Sequence, residues 1–329
     1  MTRQVSILMY HYVRELEHSR YPKINGLSID LFKEQLKFIM KYYHIISMEE
    51  VIASVKSGQQ LPPTALILTF DDGYIDHFIN VFPILNDLKI QGSFFVPAKA
   101  ILEHKVLGIN KLHFILASVE DELKLVKEIF SMLAEVRSEY SLKDNKYYFQ
   151  KLAKAGRFDS REVVFMKTIL QRELPERLRK DILNRLFNKY VTVDEHAFSM
   201  ELYVSLKQLK YMRENGMYIG SHSYDHYWLN ALEINDQERE IDMSLRFLQE
   251  IGSNLNDWAI CYPHGAYNNS LLSILNRKGC KVGLSTRVGI ADLSVDNPLT
   301  LPRLNTNDLP KNKNSKPNEW TLRVINAKS

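Results

Sequence analysis

Cysteine, long apolar runs and blocks of one charge are all scarce in this chain of 329 residues. The two cysteines, Cys261 and Cys280, are too few for a disulfide framework and fit a reducing compartment, although one disulfide between them stays open. No segment approaches the roughly 18 consecutive apolar residues of a membrane span. The apolar stretch near the N-terminus is short, is broken by His11 and has no small-residue cleavage site, so it does not read as a secretory signal. We therefore expect a cytoplasmic protein, with a peripheral association with a membrane left open.

The charge balance does not indicate binding to nucleic acid. The 43 Lys and Arg residues exceed the 39 Asp and Glu residues by only four, and the basic residues are scattered among the acidic ones. A content of 45% hydrophobic and 25% charged residues is ordinary for a globular protein. The length predicts one large domain with an insertion, or two domains.

Short apolar runs alternate with helical patterns in two separate parts of the chain, which predicts βα units around a parallel sheet. Between these parts, apolar residues recur at helical spacing and predict an α-helical insertion. The last segment is rich in Lys and Asn and predicts a loosely held tail before a short strand at 320–325. The predicted divisions are 1–103 for the first part of the main domain, 104–195 for the insertion, 196–310 for the second part and 311–329 for the tail.

Two adjacent carboxylates, Asp71 and Asp72, follow the strand-like run 65–68 and precede Gly73. A strand that delivers two aspartates to a glycine turn places acidic chemistry at its carboxyl end. The simpler interpretation is a solvated turn, because Asp-Gly is common turn chemistry.

About 150 residues later, His222 and His226 follow another strand-like segment, 217–220. Taken alone, histidines at this spacing are more often surface or capping residues. Together with a carboxylate they form a three-ligand set, of the kind that holds a catalytic Zn²⁺ with one position open.

These motifs, together with Tyr262-Pro263-His264-Gly265, resemble the polysaccharide deacetylases, also called the NodB-homology or carbohydrate esterase family 4 enzymes. The resemblance covers about 1–100 and 196–310. It implies a distorted (β/α)7 barrel (NodB-like), a divalent metal usually taken as zinc, and hydrolysis of an N-acetyl group on an amino sugar. It also implies that Asp72, His222 and His226 are the metal ligands and that Asp71 is the general base.

The chain departs from the usual pattern of this family in the general acid. The usual acid is a histidine in a late leucine-rich motif, but no histidine follows residue 265. The segment Ile7-Leu8-Met9-Tyr10-His11 resembles that late motif moved to the front, as in the circularly permuted branch that includes the poly-N-acetylglucosamine deacetylases. His11 is therefore the predicted acid, with a plain strand-end histidine as the simpler interpretation and His264 as a competitor for the role.

A second departure concerns the arginine that usually orients the base. Its position is taken by Cys261, which cannot make a charge-assisted contact. We predict that Arg303 replaces it, against the alternative of a surface salt bridge. Tyr262, Pro263 and His264 are predicted to line the substrate and oxyanion site, where the backbone N–H of His264, or the metal itself, would stabilise the oxyanion.

Three hypotheses about function follow from these motifs. The first is a metal-dependent deacetylase acting on an N-acetylated saccharide, and the absence of a recognisable signal favours a nucleotide-linked or lipid-linked intermediate. The second is a metal-dependent amidohydrolase acting on another acyl group or on a non-sugar amide. The third is a saccharide-binding protein that has lost catalysis at Cys261, which the retained acidic and histidine residues argue against. The sequence leaves open the sugar, the physiological metal, the oligomeric state and the role of the insertion.

Overall fold

The computed structural model describes residues 3–154, 156 and 159–326. Within them the chain forms two compact units. The first unit comprises the residues up to Glu15, Gly26–Lys105 and the residues from Ser199 onward. The second unit comprises Leu16–Asn25 and Val106–Phe198.

The strands of the described residues all belong to the first unit. They are β1 (Gln4–Tyr10), β2 (His44–Ile45), β3 (Ala65–Asp71), β4 (Gly92–Val96), β5 (Tyr218–Ser221), β6 (Trp258–Cys261), β7 (Cys280–Val288), β8 (Ala291–Asp292) and β9 (Leu301–Asn305).

Seven of these strands close into a parallel barrel in the order β3-β4-β5-β6-β7-β9-β1. The barrel closes because β1 pairs in parallel with both β3 and β9. β2 extends the sheet beside β3, and β8 pairs antiparallel with β1. The predicted (β/α)7 barrel is confirmed, and the parallel arrangement brings the carboxyl ends of all seven strands to one rim.

The barrel interior follows from alternation along each strand. Alternate residues of the strands, such as Val5 and Ile7 of β1 and Ala65 and Ile67 of β3, join one buried cluster. Continuing each alternation toward the rim leads to His11 and Asp71. The polar groups at the rim therefore lie above a closed apolar core.

The described residues also form a series of α-helices. They are α1 (Ile29–Tyr42), α2 (Met48–Ser57), α3 (Phe82–Asp87), α4 (Ala98–Leu102), α5 (Gly108–Ser118), α6 (Glu122–Glu135), α7 (Asn145–Leu152), α8 (Arg161–Thr168), α9 (Glu176–Tyr190), α10 (Glu195–Leu202), α11 (Leu206–Glu214), α12 (Ile234–Ile251), α13 (Asn269–Arg277) and α14 (Glu319–Asn326). A π-helical turn, His77–Val81, precedes α3 directly.

Local sequence explains where several helices begin. Ser28 accepts a hydrogen bond from the Leu31 N–H at the start of α1. Ser47 and Glu50 form a reciprocal capping box at the start of α2. None of the described helices is long and apolar enough to cross a membrane.

The second unit is helical and contains most of the predicted insertion. It also includes Leu16–Asn25, which the sequence did not assign to it. The Tyr21 ring lies 4.9 Å from that of Phe114 and 6.1 Å from that of Phe198, so an aromatic cluster joins this segment to the helices.

The strand predicted at 320–325 is wrong, because this segment is helix α14. The β-branched residues there suggested a strand, but burial follows a helical spacing, with Thr321 and Val324 on the inner face. Asn318 accepts a hydrogen bond from the Thr321 N–H, and the Tyr43 hydroxyl donates to Thr321 Oγ1. The tail is therefore held against the barrel unit at this point.

Candidate active site

The carboxyl ends of β3 and β5 bring together three predicted metal ligands. Asp72 Oδ1 lies 3.2 Å from His222 Nε2 and 3.3 Å from His226 Nε2. The side chains of all three residues are largely buried, at 3% to 8% exposure. The chain thus forms a compact Asp-His-His group.

The atoms that face one another in this group are better suited to binding a cation than to forming hydrogen bonds with one another. His222 Nδ1 lies 2.7 Å from the Cys261 carbonyl oxygen, which can only accept, so Nδ1 carries the proton. In the neutral ring, Nε2 then presents a lone pair toward Asp72 Oδ1, a buried oxygen with no hydrogen-bond donor among the described residues. Lone pairs that converge in this way suit a divalent metal, and the carbonyl contact is the orienting bond that ligating histidines usually make.

Backbone strain accompanies the ligands. Asp72, Ser223, His226 and His264 all have φ between 57° and 74°, a region that non-glycine residues seldom occupy. Each such residue costs on the order of 1–3 kcal/mol, so neighbouring contacts must hold the turns in place.

Side chains around the ligands supply those contacts. The Tyr74 hydroxyl donates to Asp72 Oδ2 at 2.6 Å, which leaves only Oδ1 facing the imidazoles. Glu240 Oε2, on α12, accepts the backbone N–H groups of Tyr224 and Asp225 at 3.0 and 2.9 Å. Neither role was found from the sequence. Tyr74 is only two residues from Asp72, but no pattern shows that its hydroxyl turns back to that carboxylate, and Glu240 reaches the site from a separate helix.

Asp225 lies between the two histidines in sequence, but its carboxylate pairs with Lys99 at 2.5 Å. The side chain of Asp225 therefore stabilises the loop 222–226, called the ligand loop below. Asp225 is not a member of the Asp-His-His group.

The predicted base, Asp71, has a cation beside it. Arg303 Nη1 and Nη2 lie 2.9 and 2.8 Å from the two oxygens of Asp71, and both side chains are almost fully buried. Burial would raise the pKa of Asp71, but the Arg303 guanidinium and the nearby imidazoles outweigh it and lower this pKa to about 2. The Asp71 carboxylate is thus ionised at neutral pH and oriented by two parallel hydrogen bonds.

Cys261 is the third contact of this carboxylate. Its Sγ lies 3.2 Å from Asp71 Oδ2, and burial raises the pKa of the thiol, so the thiol remains protonated and donates weakly. Both cysteines are free in the structure. The disulfide that the sequence left open is therefore not formed.

The two candidate acids, His11 and His264, contact different residues of the site. His11 Nε2 is 4.0 Å from Asp71 Oδ2, and the His11 side chain is 41% exposed. The His264 ring stacks on Trp228, with ring centroids 4.4 Å apart, and meets the His226 ring edge-on at 4.8 Å. His11 therefore approaches the base, whereas His264 packs beside the ligand loop.

Residues 176–283 match the family model described as polysaccharide deacetylase. YxkH of Bacillus subtilis (strain 168), whose name assigns it to the polysaccharide deacetylases, is 32% identical over 85 residues. That matched segment is 26% of this chain and 30% of the length of YxkH.

Two solved structures share the fold over nearly the whole chain. Streptococcus pyogenes deacetylase PplD in complex with acetate has a TM-score of 0.57 at 20% identity, with 99% of this chain and 98% of that chain covered. IcaB from Ammonifex degensii has a TM-score of 0.57 at 16% identity, with the same shares covered. This chain resembles the polysaccharide deacetylases in sequence and in fold.

The motif Tyr262-Pro263-His264-Gly265 contributes some residues to the core of the barrel and others to its rim. Tyr262 is only 1% exposed, and its hydroxyl donates to the Leu299 carbonyl at 2.7 Å, so its side chain is a core group. Pro263 is buried, and Gly265 closes the turn by donating to the Tyr262 carbonyl at 2.8 Å. A substrate contact by the Tyr262 side chain is therefore not part of our proposal.

A cavity of about 480 Å³ lies elsewhere, lined by Lys56, Tyr218 and Asp257 among others. Tyr218 begins β5 and Asp257 immediately precedes β6, so this cavity is at the amino ends of the strands, away from the carboxylates and histidines.

Proposed function

We propose that this protein is a metal-dependent hydrolase that removes an N-acetyl group from an amino sugar in a saccharide or glycan intermediate. The observation that carries the proposal is the buried Asp72 oxygen facing two imidazole nitrogens, directly beside an arginine-paired carboxylate. The likeness to polysaccharide deacetylases supports the same chemistry. A nucleotide-linked or lipid-linked saccharide remains our preferred class of substrate.

Asp72, His222 and His226 would hold the metal, with Zn²⁺ as the first candidate and other divalent ions compatible with the same ligands. When bound, such an ion supplies Lewis-acid polarisation of the amide carbonyl and lowers the pKa of water.

Asp71 is the proposed base. It takes one proton from the attacking water as the new C–O bond forms at the acetyl carbon. Arg303 keeps the carboxylate ionised and fixes its direction, and the Cys261 thiol occupies the remaining side of Asp71 Oδ2.

His11 is the proposed acid. When the C–N bond breaks, the departing nitrogen must gain a proton, and His11 approaches the base from a partly exposed position. The products are acetate and the free amine. We propose the backbone N–H of His264 as a donor to the developing oxyanion, with Pro263 and Gly265 shaping the turn that presents it.

The first experiment measures metal content and acetate release with the full chain. Wild type and Asp71→Asn are assayed on N-acetylated nucleotide sugars and short N-acetylated oligosaccharides. We expect near one metal per chain in both proteins, acetate release by wild type, and a fall of on the order of 10²–10⁴-fold in the variant.

A fully active Asp71→Asn variant would remove the base assignment. Metal without acetate release from any of these substrates would favour another acyl group or a binding role. Wild type that binds no metal would overturn the three-ligand group itself.

A further inference from the structure

The segment that carries His11 is attached to the turn that follows the two aspartates. Residues 11–14 come directly after β1, and residues 74–80 come directly after the Asp-Asp-Gly turn of β3. Four side chains of the second segment contact four consecutive residues of the first.

Three of these contacts are hydrogen bonds to the backbone. His77 Nε2 lies 2.9 Å from the His11 carbonyl oxygen. The Val13 N–H donates to Asp76 Oδ2 at 3.2 Å, and Asn80 Nδ2 donates to the Val13 carbonyl at 2.8 Å.

Side-chain pairs complete the attachment. Arg14 donates to both oxygens of Asp76, at 2.7 and 2.8 Å, in a bidentate ion pair. The Tyr12 and Tyr74 rings stack with centroids 4.0 Å apart. Since Tyr74 also donates to Asp72, the same segment touches the loop of the proposed acid and a proposed metal ligand.

The His77 ring makes one hydrogen bond among the described residues, although the residue is only 1% exposed. The His11 carbonyl accepts, so Nε2 carries the proton, and burial lowers the pKa of His77 to about 4, which keeps the ring neutral. Its Nδ1 is buried with no partner among the described residues, which is destabilising because the nitrogen has lost its hydrogen bonds to water. The rings of Phe70, Tyr74 and Phe94 surround it, so an apolar side chain would suit this position equally well if packing were its only task.

We propose that His77, with Asp76 and Asn80, forms a clasp that positions His11 for proton transfer to the leaving amine. This inference rests on the proposed function, in which His11 is the general acid. The three clasp residues are positioning residues, because they act through the backbone of residues 11–14.

The chemistry of the leaving group separates a positioning role from a structural one. Cleavage of the C–N bond in an N-acetylated sugar needs a proton on nitrogen, whereas cleavage of an aryl acetate releases a phenolate that needs none. A misplaced His11 should therefore slow the amide reaction and leave the ester reaction near its normal rate. Loss of the base or of the metal should slow both.

The test compares His77→Leu with His77→Gln in the full, metal-loaded chain. The amide substrate is triacetylchitotriose or, if wild type does not cleave it, the N-acetylated nucleotide sugar from which wild type releases acetate in the first experiment. The ester substrate is 4-nitrophenyl acetate. Gln offers an N–H near the position of Nε2, so it should preserve the bond to His11, whereas Leu removes it.

For His77→Leu we expect kcat on the amide to fall on the order of 10²-fold, with KM, metal content and ester hydrolysis close to wild type. His77→Gln should restore most of the amide rate. Tyr10→Phe is the control, because it removes a buried hydrogen bond from β1, to Gln35, without touching residues 11–14. Should His77→Leu not fold, Asn80→Leu at a partly exposed site carries the same expectation.

Equal losses on amide and ester, or unchanged rates on both, would overturn the clasp while leaving the proposed function in place. A wild type that releases acetate from none of the N-acetylated nucleotide sugars and oligosaccharides of the first experiment would overturn the proposed function and the clasp with it.

Discussion

At the scale of single residues, the pairing of Asp71 with Arg303 explains why Asp71 still has an arginine partner although position 261, where the deacetylases usually have that arginine, is a cysteine. The two charged residues lie on different strands, β3 and β9, and both are about 2% exposed. Arg303 also donates from Nε to the Ser285 carbonyl at 3.0 Å, which fixes the guanidinium plane. A second arginine at 261 would place two cations on one carboxylate, so a small neutral thiol fits better there.

The Asp71–Arg303 pair predicts strong coupling between the two residues. Arg303→Met should lower the free energy of unfolding by about 3–5 kcal/mol, because it leaves a buried carboxylate without its cation. Asp71→Asn in the same chain should recover much of this loss, since no buried charge then remains. Urea unfolding of the two single variants, the double variant and wild type measures the coupling.

If the losses of unfolding free energy in the two single variants simply add up in the double variant, Asp71 and Arg303 do not act as a pair. Acetate release should be absent from Arg303→Met even where the variant is folded, because the proposed base has lost its orientation.

At the scale of elements, the turn after β3 determines where Asp72 points. Alternation along the strand directs Asp71 into the barrel, and the left-handed turn at Asp72 (φ 74°) and Gly73 (φ 65°) brings the second carboxylate to the histidines. A Cβ on Gly73 would lie 2.8 Å from Val96 Cγ1, at the end of β4. The turn is therefore packed directly against the neighbouring strand.

Gly73→Ala should lower both stability and metal occupancy. The alanine would have to adopt a positive φ, which is strained for any residue with a Cβ, and its Cβ would also press on the buried Val96 side chain. The backbone shift that relieves this contact would move Asp72 away from His222. We expect a loss of about 1–3 kcal/mol in unfolding free energy, together with weaker metal binding. Metal titration and urea unfolding would measure the two effects.

Gly58 offers a matched control for this change. Its φ is 76°, but nothing lies within 4 Å of a Cβ added there. Gly58→Ala should therefore lower the free energy of unfolding by about 1 kcal/mol, the cost of a positive φ alone, and leave metal binding unchanged. Equal effects of the two substitutions would show that packing against Val96 does not matter.

At the scale of the whole molecule, the proposed metal joins parts of the barrel that lie far apart in sequence. Asp72 follows β3, and His222 and His226 follow β5, with β4 between the two strands in the sheet. A ligand bound only by the folded chain stabilises it by about 2.7 kcal/mol at a concentration one hundred times its Kd.

Chelation should therefore lower the Tm of wild type, and added Zn²⁺ should restore it. His226→Ala, which lacks one proposed ligand, should show a smaller shift or none under the same treatment. Differential scanning calorimetry with and without chelator makes the comparison, and a Tm of wild type indifferent to metal would contradict the proposed site.

Many features of the barrel could be predicted from local sequence. Apolar runs of strand length, followed by polar residues or glycine, identify β3 and β5, and the positions of Asp71, Asp72, His222 and His226 after them follow directly. The serine that caps α1 can also be identified from sequence, because its side chain bonds a backbone N–H only three residues away. These signals are local, so one sequence suffices to find them.

Tertiary structure decided what depends on distant contacts. The segment 320–325 is a helix whose residues Thr321 and Val324 pack inward, although its β-branched residues locally favour a strand. The side chain of Tyr262 turns into the core instead of toward the site, because Leu299 offers it a carbonyl acceptor 37 residues away.

The chain by itself determined the kinds of residue available at the rim: two adjacent carboxylates, two histidines at ligand spacing, a histidine near the start and an arginine near the end. Only the folded barrel decided their arrangement. β1 lies between β3 and β9, so that His11, Asp71 and Arg303 meet although they span almost the whole sequence. The physical reason is that closure of a parallel barrel brings the ends of all its strands to one rim, whatever their separation along the chain.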